Sequence, residues 1–368
     1  MWGDNIIKLI MIYKIEYFYI FRLINFRKIL NKNMKLVKFF VLLYIIVNTI
    51  ESKELNDEQR INVGITFTKV NEHESLIEKF KTCVSSLLKY AKVDINFYII
   101  GDAHSQKVAR DILSKVKNYR IDYKIIDVDA DKLAKKMHQL VSKMQTHFSH
   151  SPSSYYGDSL FFLSIGLFKV FNPNINKIIL LDSDLKFKND IGELYDLFNK
   201  FNESNLIGIA RDGQPVYRHL FWKYRKENPE TRVGNPPPDG LTGFNSGVLL
   251  LDLEKMRKSK LYSELITPET VEKLTEKYYF KGHLGDQDFF TLLGMEYEDL
   301  FYVLPCTWNR QLCTWWGKHG YEDVLDQYYK CDGEINVYHG NCNTEIPRDE
   351  DDVEFESYFK ENIIKEDL

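Results

Sequence analysis

From residue 61 onward, short unbroken apolar runs alternate with longer stretches in which apolar residues recur at helical spacing. Residues 62–68 (NVGITFT) read as a first strand. Residues 74–90 then place Leu76, Phe80, Val84, Leu87 and Leu88 on one helical face. An apolar run at 95–100 ending in Gly101-Asp102 reads as a second strand, 107–116 as a helix and 123–128 as a third strand. Strands alternating with helices imply a parallel sheet with right-handed crossovers, a Rossmann-like α/β architecture. No GxGxxG follows the first strand, which disfavours a dinucleotide oxidoreductase.

Residues 133–154 read as helical and then polar, and 158–171 as a strongly apolar helix that Pro173 ends. Next, Ile178, Ile179, Leu180 and Leu181 form a run suited to a strand buried on both faces, and it stops abruptly at Asp182-Ser183-Asp184. A helix at 191–201 and a buried strand at 206–210 follow. Residues 214–225 interleave Tyr217, His219, Phe221, Trp222 and Tyr224 with Arg218 and Arg225. They suit an amphipathic helix with its aromatics inward, or a platform for a sugar or peptide. The stretch 228–243, rich in proline and glycine, predicts a long irregular loop bordering a site. Asn245-Ser246 then opens an apolar strand at 248–253.

The amino-terminal segment predicts a different environment. Residues 6–30 are apolar but interrupted by Lys8, Lys14, Glu16, Arg22 and Arg27. From Met34 the pattern is cleaner: Lys35 and Lys38, an unbroken run at 39–47, then Glu51 and Glu54. That run is shorter than the roughly 20 residues of a spanning helix and resembles a secretory signal or a short signal anchor. Basic residues before it and acidic ones after it send the remainder to the lumen. No small-x-small cleavage site follows, which favours an uncleaved anchor. Residues 1–55 are thus expected to be extension and anchor, with Met34 a candidate start, and 56–368 the luminal domain.

At 368 residues and 44% hydrophobic the chain can bury a large core, and a net charge of −4 with no basic stripe argues against nucleic acid as a partner. Cys306, Cys313, Cys331 and Cys342 cluster away from Cys83. In a secretory chain they predict two disulfides, with three connectivities open and Cys306–Cys331 with Cys313–Cys342 favoured. A four-cysteine zinc site is the rival, and no CxxC pair supports it. The sequon Asn202-Glu203-Ser204 is compatible with the lumen.

Two carboxylates one residue apart at the carboxyl end of an interior strand can face one hard cation that also holds a diphosphate, although DxD alone also occurs as a plain turn. His339, after a short apolar stretch, is a third donor if the chain folds back, and two carboxylates with one imidazole suit Mn²⁺. His138, His147 and His150 lack paired spacing and read as a solvated loop. Asp286, in Gly282–Asp288 (GHLGDQD) before an apolar helix, is either a helix cap or a functional acid.

In order, a Thr-bearing first strand, LDSD, FNSGVLLL, GDQDFF and HGN resemble the retaining, glycogenin-like nucleotide-sugar glycosyltransferases of family 8, over residues 61–343. The segments LKFKNDI, QPVYRHLFWKYRKENPETRVGNPPP and CTWNRQLCTWW narrow the resemblance to luminal xylosyltransferases of that family. It implies a GT-A fold with a mainly parallel central sheet, and transfer of xylose from UDP-xylose, with retention, in an α1,3 linkage. The implied acceptor is the xylose of a xylosyl-glucose O-glycan on EGF repeats of Notch-type proteins, in the endoplasmic reticulum. A family-8 enzyme using another donor such as UDP-glucose, or a sugar-binding protein without catalysis, would share these motifs.

By the same resemblance Asp182, Asp184 and His339 hold Mn²⁺, or Mg²⁺ as the alternative. Thr66, Phe67, Thr68, Ser183, Asp184, Ser246, Leu284 and Gln287 serve the donor, and His219, Trp222, Trp316 and Asn341 the acceptor. Asp286, Gln287 and Asn341 are the catalytic candidates, with a front-face mechanism favoured over double displacement. Implied partners are a UDP-sugar, glycosylated EGF-repeat proteins and the membrane, with a homodimer left open. Many members carry an Arg or Lys where this chain has Ser164, Ile165 and Gly166.

Overall fold

The computed structural model describes residues 60–116, 121–150 and 158–349. The expected anchor at 39–47 and the alternative start at Met34 lie outside them. Among the described residues, no helix is long and apolar enough to cross a membrane.

Seven strands form the central sheet: β1 (Ile61–Thr66), β2 (Ile95–Gly101), β3 (Tyr123–Asp129), β4 (Lys177–Leu181), β6 (Ile207–Arg211), β7 (Phe244–Asp252) and β8 (Phe301–Leu304). Their order is β3-β2-β1-β4-β7-β6-β8. Every pairing is parallel except those of β7, which runs antiparallel to both β4 and β6. The four apolar residues of β4 alternate between the two cores. Ile178 and Leu180 pack into one, Ile179 and Leu181 into the other, which is why this strand shows no polar alternation.

Helix starts depart from the sequence reading where side chains cap them. The helix expected at 107–116 is Ala103–Leu113, because the Asp102 carboxylate accepts from the His104 and Ser105 amides. The single helix expected at 158–171 is a 3₁₀ turn, Ser159–Phe162, followed by a helix, Leu163–Val170. His138 and His147, expected in a solvated loop, lie on helix His138–Phe148, whose buried face carries Leu140, Val141, Met144 and Phe148. The segment 214–225 forms two short helices, Val216–Leu220 and Trp222–Glu227, with Tyr217 and Phe221 in the core. The loop after them does not border the main cleft. It closes on itself through a Val233–Leu241 bridge, lines a separate pocket of about 180 Å³, and receives the Tyr328 hydroxyl on the Gly234 carbonyl.

The strand expected at 248–253 begins at Phe244, so Asn245 and Ser246 lie inside it. Pairing with β6 jumps between Ile209–Leu249 and Ala210–Asn245, a bulge that leaves the intervening β7 residues unmatched on that side. The β4 side stays joined, with the Asp182 amide donating to the Gly247 carbonyl.

A second sheet completes the architecture. β10 (Val337–His339) lies between β5 (Leu185–Phe187), to which it is antiparallel, and β9 (Arg310–Gln311), to which it is parallel. The register sets His339 beside Leu185, and the Gly340 amide donates to the Asp184 carbonyl. Disulfides Cys306–Cys331 and Cys313–Cys342 tie this region together, which is the favoured pairing. Cys83 is free and buried.

Candidate active site

A cleft of about 910 Å³ opens where β4 ends and β7 begins. At its floor, one donor atom each from Asp182, Asp184 and His339 lie within 4.8 Å of one another. The His339 Nε2 atom is 3.3 Å from Asp184 Oδ1 and 3.7 Å from Asp182 Oδ2. Its protonation pattern follows from a chain of bonds that starts at the backbone. The Gly247 amide donates to Asn245 Oδ1, so that atom is the oxygen, and Asn309 Nδ2 also donates to it, at 2.8 Å. Asn309 Oδ1 is left as an acceptor 2.9 Å from His339 Nδ1, which therefore carries the proton. Nε2 faces the carboxylates, and in the neutral ring it is Nε2 that carries the lone pair. Two carboxylate oxygens and one imidazole nitrogen, with positions left open, fit a hard divalent cation.

Charge is concentrated here. Burial pushes the Asp182 carboxyl up to about 7, against the pull of His339. Burial also works against the Asp184 anion, but the His339 charge and hydrogen bond, with Lys79, outweigh it and hold the carboxyl below its usual range. His339 is raised in turn: burial opposes its charge, and Asp184 and Asp182 overcome that. Behind them the Cys83 thiol approaches the Asp182 carbonyl at 3.8 Å, and burial raises its pKa, so it is inert.

A second polar group hangs from the start of helix Asp286–Gly294. Ser246 Oγ donates to Asp286 Oδ1 at 2.9 Å and Ser164 Oγ donates to Asp286 Oδ2. Burial raises Asp286 to about 6. Gln287 accepts the Ser246 amide on Oε1 at 3.2 Å, while its Nε2 donates to Asp212 Oδ2 and Tyr217 Oη, both at 3.2 Å. Tyr217 donates to Asp288 Oδ1 at 3.0 Å, so its oxygen is free to accept, and the carboxamide is held in one orientation. Burial lifts Asp212 and Asp288 to about 7.

Part of the lining is aromatic. The His219 ring lies 5.0 Å from Trp316 and its Nδ1 meets Tyr321 Oη at 2.9 Å, while Trp315 stands at right angles to Trp316. Asn341 Oδ1 accepts the Leu312 and Cys313 amides, each at 3.0 Å, pinning the segment beside the Cys313–Cys342 disulfide.

Most residues singled out in the sequence line this cleft: Thr66, Asp182, Ser183, Asp184, His219, Ser246, Leu284, Asp286, Gln287, Trp316, His339 and Asn341. Three side chains do not. Phe67 stacks on Phe80 in the core at 4.3 Å, the Thr68 hydroxyl donates to Asp102, and Trp222 stands 60% exposed outside the cleft. Sequence reasoning missed Lys79, Asp212, Trp315 and the stacked pair His150–His283. Asp212 had a readable signal, since it follows buried β6 as Asp182 follows β4. Lys79 had none.

Comparison with known proteins agrees with this geometry. The profile of Glycosyl transferase family 8 matches residues 12–339, and the chain belongs to that family. Homo sapiens xyloside xylosyltransferase 1 is 50% identical over 289 residues, which cover 77% of this chain and 74% of that protein. The Homo sapiens xylosyl- and glucuronyltransferase LARGE1 is 26% identical over 303 residues, 81% of this chain but 34% of that protein. The crystal structure of mouse xyloside xylosyltransferase 1 in its apo form has a TM-score of 0.75 and 49% identity, over 78% of this chain and 100% of that one. The galactosyltransferase LgtC, solved with donor and acceptor sugar analogues, has a TM-score of 0.50 at 14% identity and shares the fold. The architecture is a GT-A glycosyltransferase fold.

Proposed function

We propose that this protein transfers xylose from UDP-xylose, with retention, in an α1,3 linkage to the xylose of a xylosyl-glucose glycan on EGF repeats of Notch-type proteins. The observation that carries the reading is the convergence of Asp182, Asp184 and His339 within 4.8 Å in a cleft also lined by His219, Trp315 and Trp316. The cation donors suit a diphosphate and the aromatic rings suit the faces of sugars, and the volume of about 910 Å³ suits both together. The relatives named xyloside xylosyltransferase 1 support xylose as the donor sugar and a xyloside as its acceptor. Two disulfides support a luminal setting, in the endoplasmic reticulum and anchored through residues 34–47.

Asp182, Asp184 and His339 would hold Mn²⁺, which when bound supplies Lewis acidity toward the leaving diphosphate. Asn309 keeps the His339 lone pair turned toward that position. Gln287, clamped by Asp212 and Tyr217, presents its oxygen rather than its amide hydrogens on the Ser246 side, an orientation suited to stabilising positive charge on the sugar. Both Asp286 oxygens are occupied by serine hydroxyls, which lowers its strength as a nucleophile. That favours front-face transfer: the bond from anomeric carbon to phosphate oxygen breaks with its electron pair on oxygen, the acceptor oxygen bonds the same face, and its proton passes to the phosphate.

The test is a donor screen on a xylosyl-glucosyl EGF repeat in Mn²⁺, read by mass. A gain of one pentose from UDP-xylose, and little from UDP-glucose or UDP-galactose, is expected. Equal or greater transfer from UDP-glucose would sink the donor assignment. Binding of the EGF glycan without transfer from any donor would point to a lectin.

A further inference from the structure

Asp182, Asp184, Asp212 and Asp286 all face the cleft, yet among the described residues lining it Lys79 is the sole lysine or arginine. It projects from helix Ser75–Tyr90, which follows β1. Its Nζ donates to Asn343 Oδ1 at 2.7 Å and lies 3.7 Å from Asp184 Oδ2, with the side chain 24% exposed. The backbone that carries Asn343 is constrained. It sits in the turn Asn341–Asn343, where Cys342 and Asn343 both have positive φ and Cys342 is disulfide-bonded to Cys313. The ammonium thus lies beside the cation donors with one hydrogen bond directing it there.

A divalent ion balances the two carboxylates that hold it. A nucleoside diphosphate sugar then brings two further negative charges, rising to three once the sugar leaves with the bond's electron pair on the phosphate. Asp212 and Asp286 supply nothing to offset them, and an ammonium in a partly desolvated cleft interacts far more strongly than in water.

We propose that Lys79 is the diphosphate-binding cation of this cleft: Asn343 holds its ammonium beside Asp184, and it takes a phosphate oxygen of the nucleotide and the charge that appears there on cleavage. This rests on the nucleotide-sugar reading above. While no ion is bound, the same ammonium neutralises Asp184, so it competes weakly with the ion.

The experiment is calorimetric titration of the full chain with UDP and with uridine in Mn²⁺, and with Mn²⁺ alone, for the wild type and Lys79→Gln. UDP should bind the variant about ten- to a hundredfold more weakly, the range for one hydrogen bond to a charged group. Uridine affinity should be unchanged, and Mn²⁺ alone should bind the variant as tightly or more tightly. Unchanged UDP affinity in Lys79→Gln overturns the proposal and leaves the nucleotide-sugar reading standing. A parallel loss of uridine affinity overturns it too, since the effect would then not lie at the diphosphate. A wild type that binds no uridine nucleotide removes the nucleotide-sugar reading, and the role of Lys79 with it.

Discussion

Gly247→Ala isolates the packing that brings His339 to the two aspartates. A β-carbon at Gly247 would lie 2.3 Å from His339 Cε1, 2.7 Å from Nδ1 and 3.0 Å from Nε2. Ordinary contact begins near 3.4 Å, so the ring must withdraw by about 1 Å. It has nowhere to go, being 3% exposed on a strand held between β5 and β9. Ligand distances tolerate only about 0.2 Å, so the imidazole is lost as a donor. Displacing groups that merely orient a ligand costs about 10- to 100-fold in metal affinity, so Mn²⁺ binding should fall at least that far, about 1.4–2.8 kcal/mol. Overpacking adds about 1–3 kcal/mol of lost stability. Calorimetric Mn²⁺ titration with a thermal melt measures both. Gly213→Ala is the control, since the nearest atom to its β-carbon is 3.5 Å away. Mn²⁺ affinity within twofold of wild type in Gly247→Ala would refute the account of how the third donor is placed.

Asp286→Asn should leave a detectable transfer rate, because front-face chemistry needs no enzyme nucleophile; a xylosyl adduct on Asp286 seen by mass spectrometry contradicts this. Trp316→Ala should raise KM for the acceptor about tenfold with donor KM unchanged. Trp222→Ala, outside the cleft, should weaken an EGF-repeat acceptor and leave a free xylosyl-glucose acceptor untouched, and equal losses on both would place Trp222 in the sugar site. Asp288 has a folded pKa of about 7, above the usual carboxylate value near 4, so the folded state holds its proton more tightly. Its contribution to stability is full below about pH 4 and is lost as pH rises through about 7. The melting temperature of the metal-free protein should fall between pH 5 and pH 8 less steeply in Asp288→Asn than in wild type, and parallel slopes would exclude this source.

The first strands, β4 and its terminal acids were legible because burial on both faces leaves an unbroken apolar run that a polar pair ends sharply. His339 was legible only as a conditional donor, since nothing local says that its strand inserts between β5 and β9. Asn245 and Ser246 were misplaced because a bulge is a property of two strands, and the unmatched residues are visible only beside β6. Lys79 sits on a helix where a lysine ordinarily meets water, and only the tertiary fold turns it into the cleft. Trp222 and Trp316 show the converse limit. Both are tryptophans in aromatic segments that match the family, yet one lines the cleft and the other stands outside it.

The small sheet of β5, β10 and β9 joins residues 185–187 to residues made more than a hundred positions later. During synthesis Asp182 and Asp184 leave the ribosome well before His339, and the seven strands of the main sheet are complete by residue 304. A nascent chain can therefore fold its body while its cation site still lacks a donor. Chains truncated before residue 337 are expected to show the main sheet by circular dichroism and to bind Mn²⁺ weakly, so activity reports that β10 has been made and inserted. Tight Mn²⁺ binding by such a fragment would contradict this order of assembly.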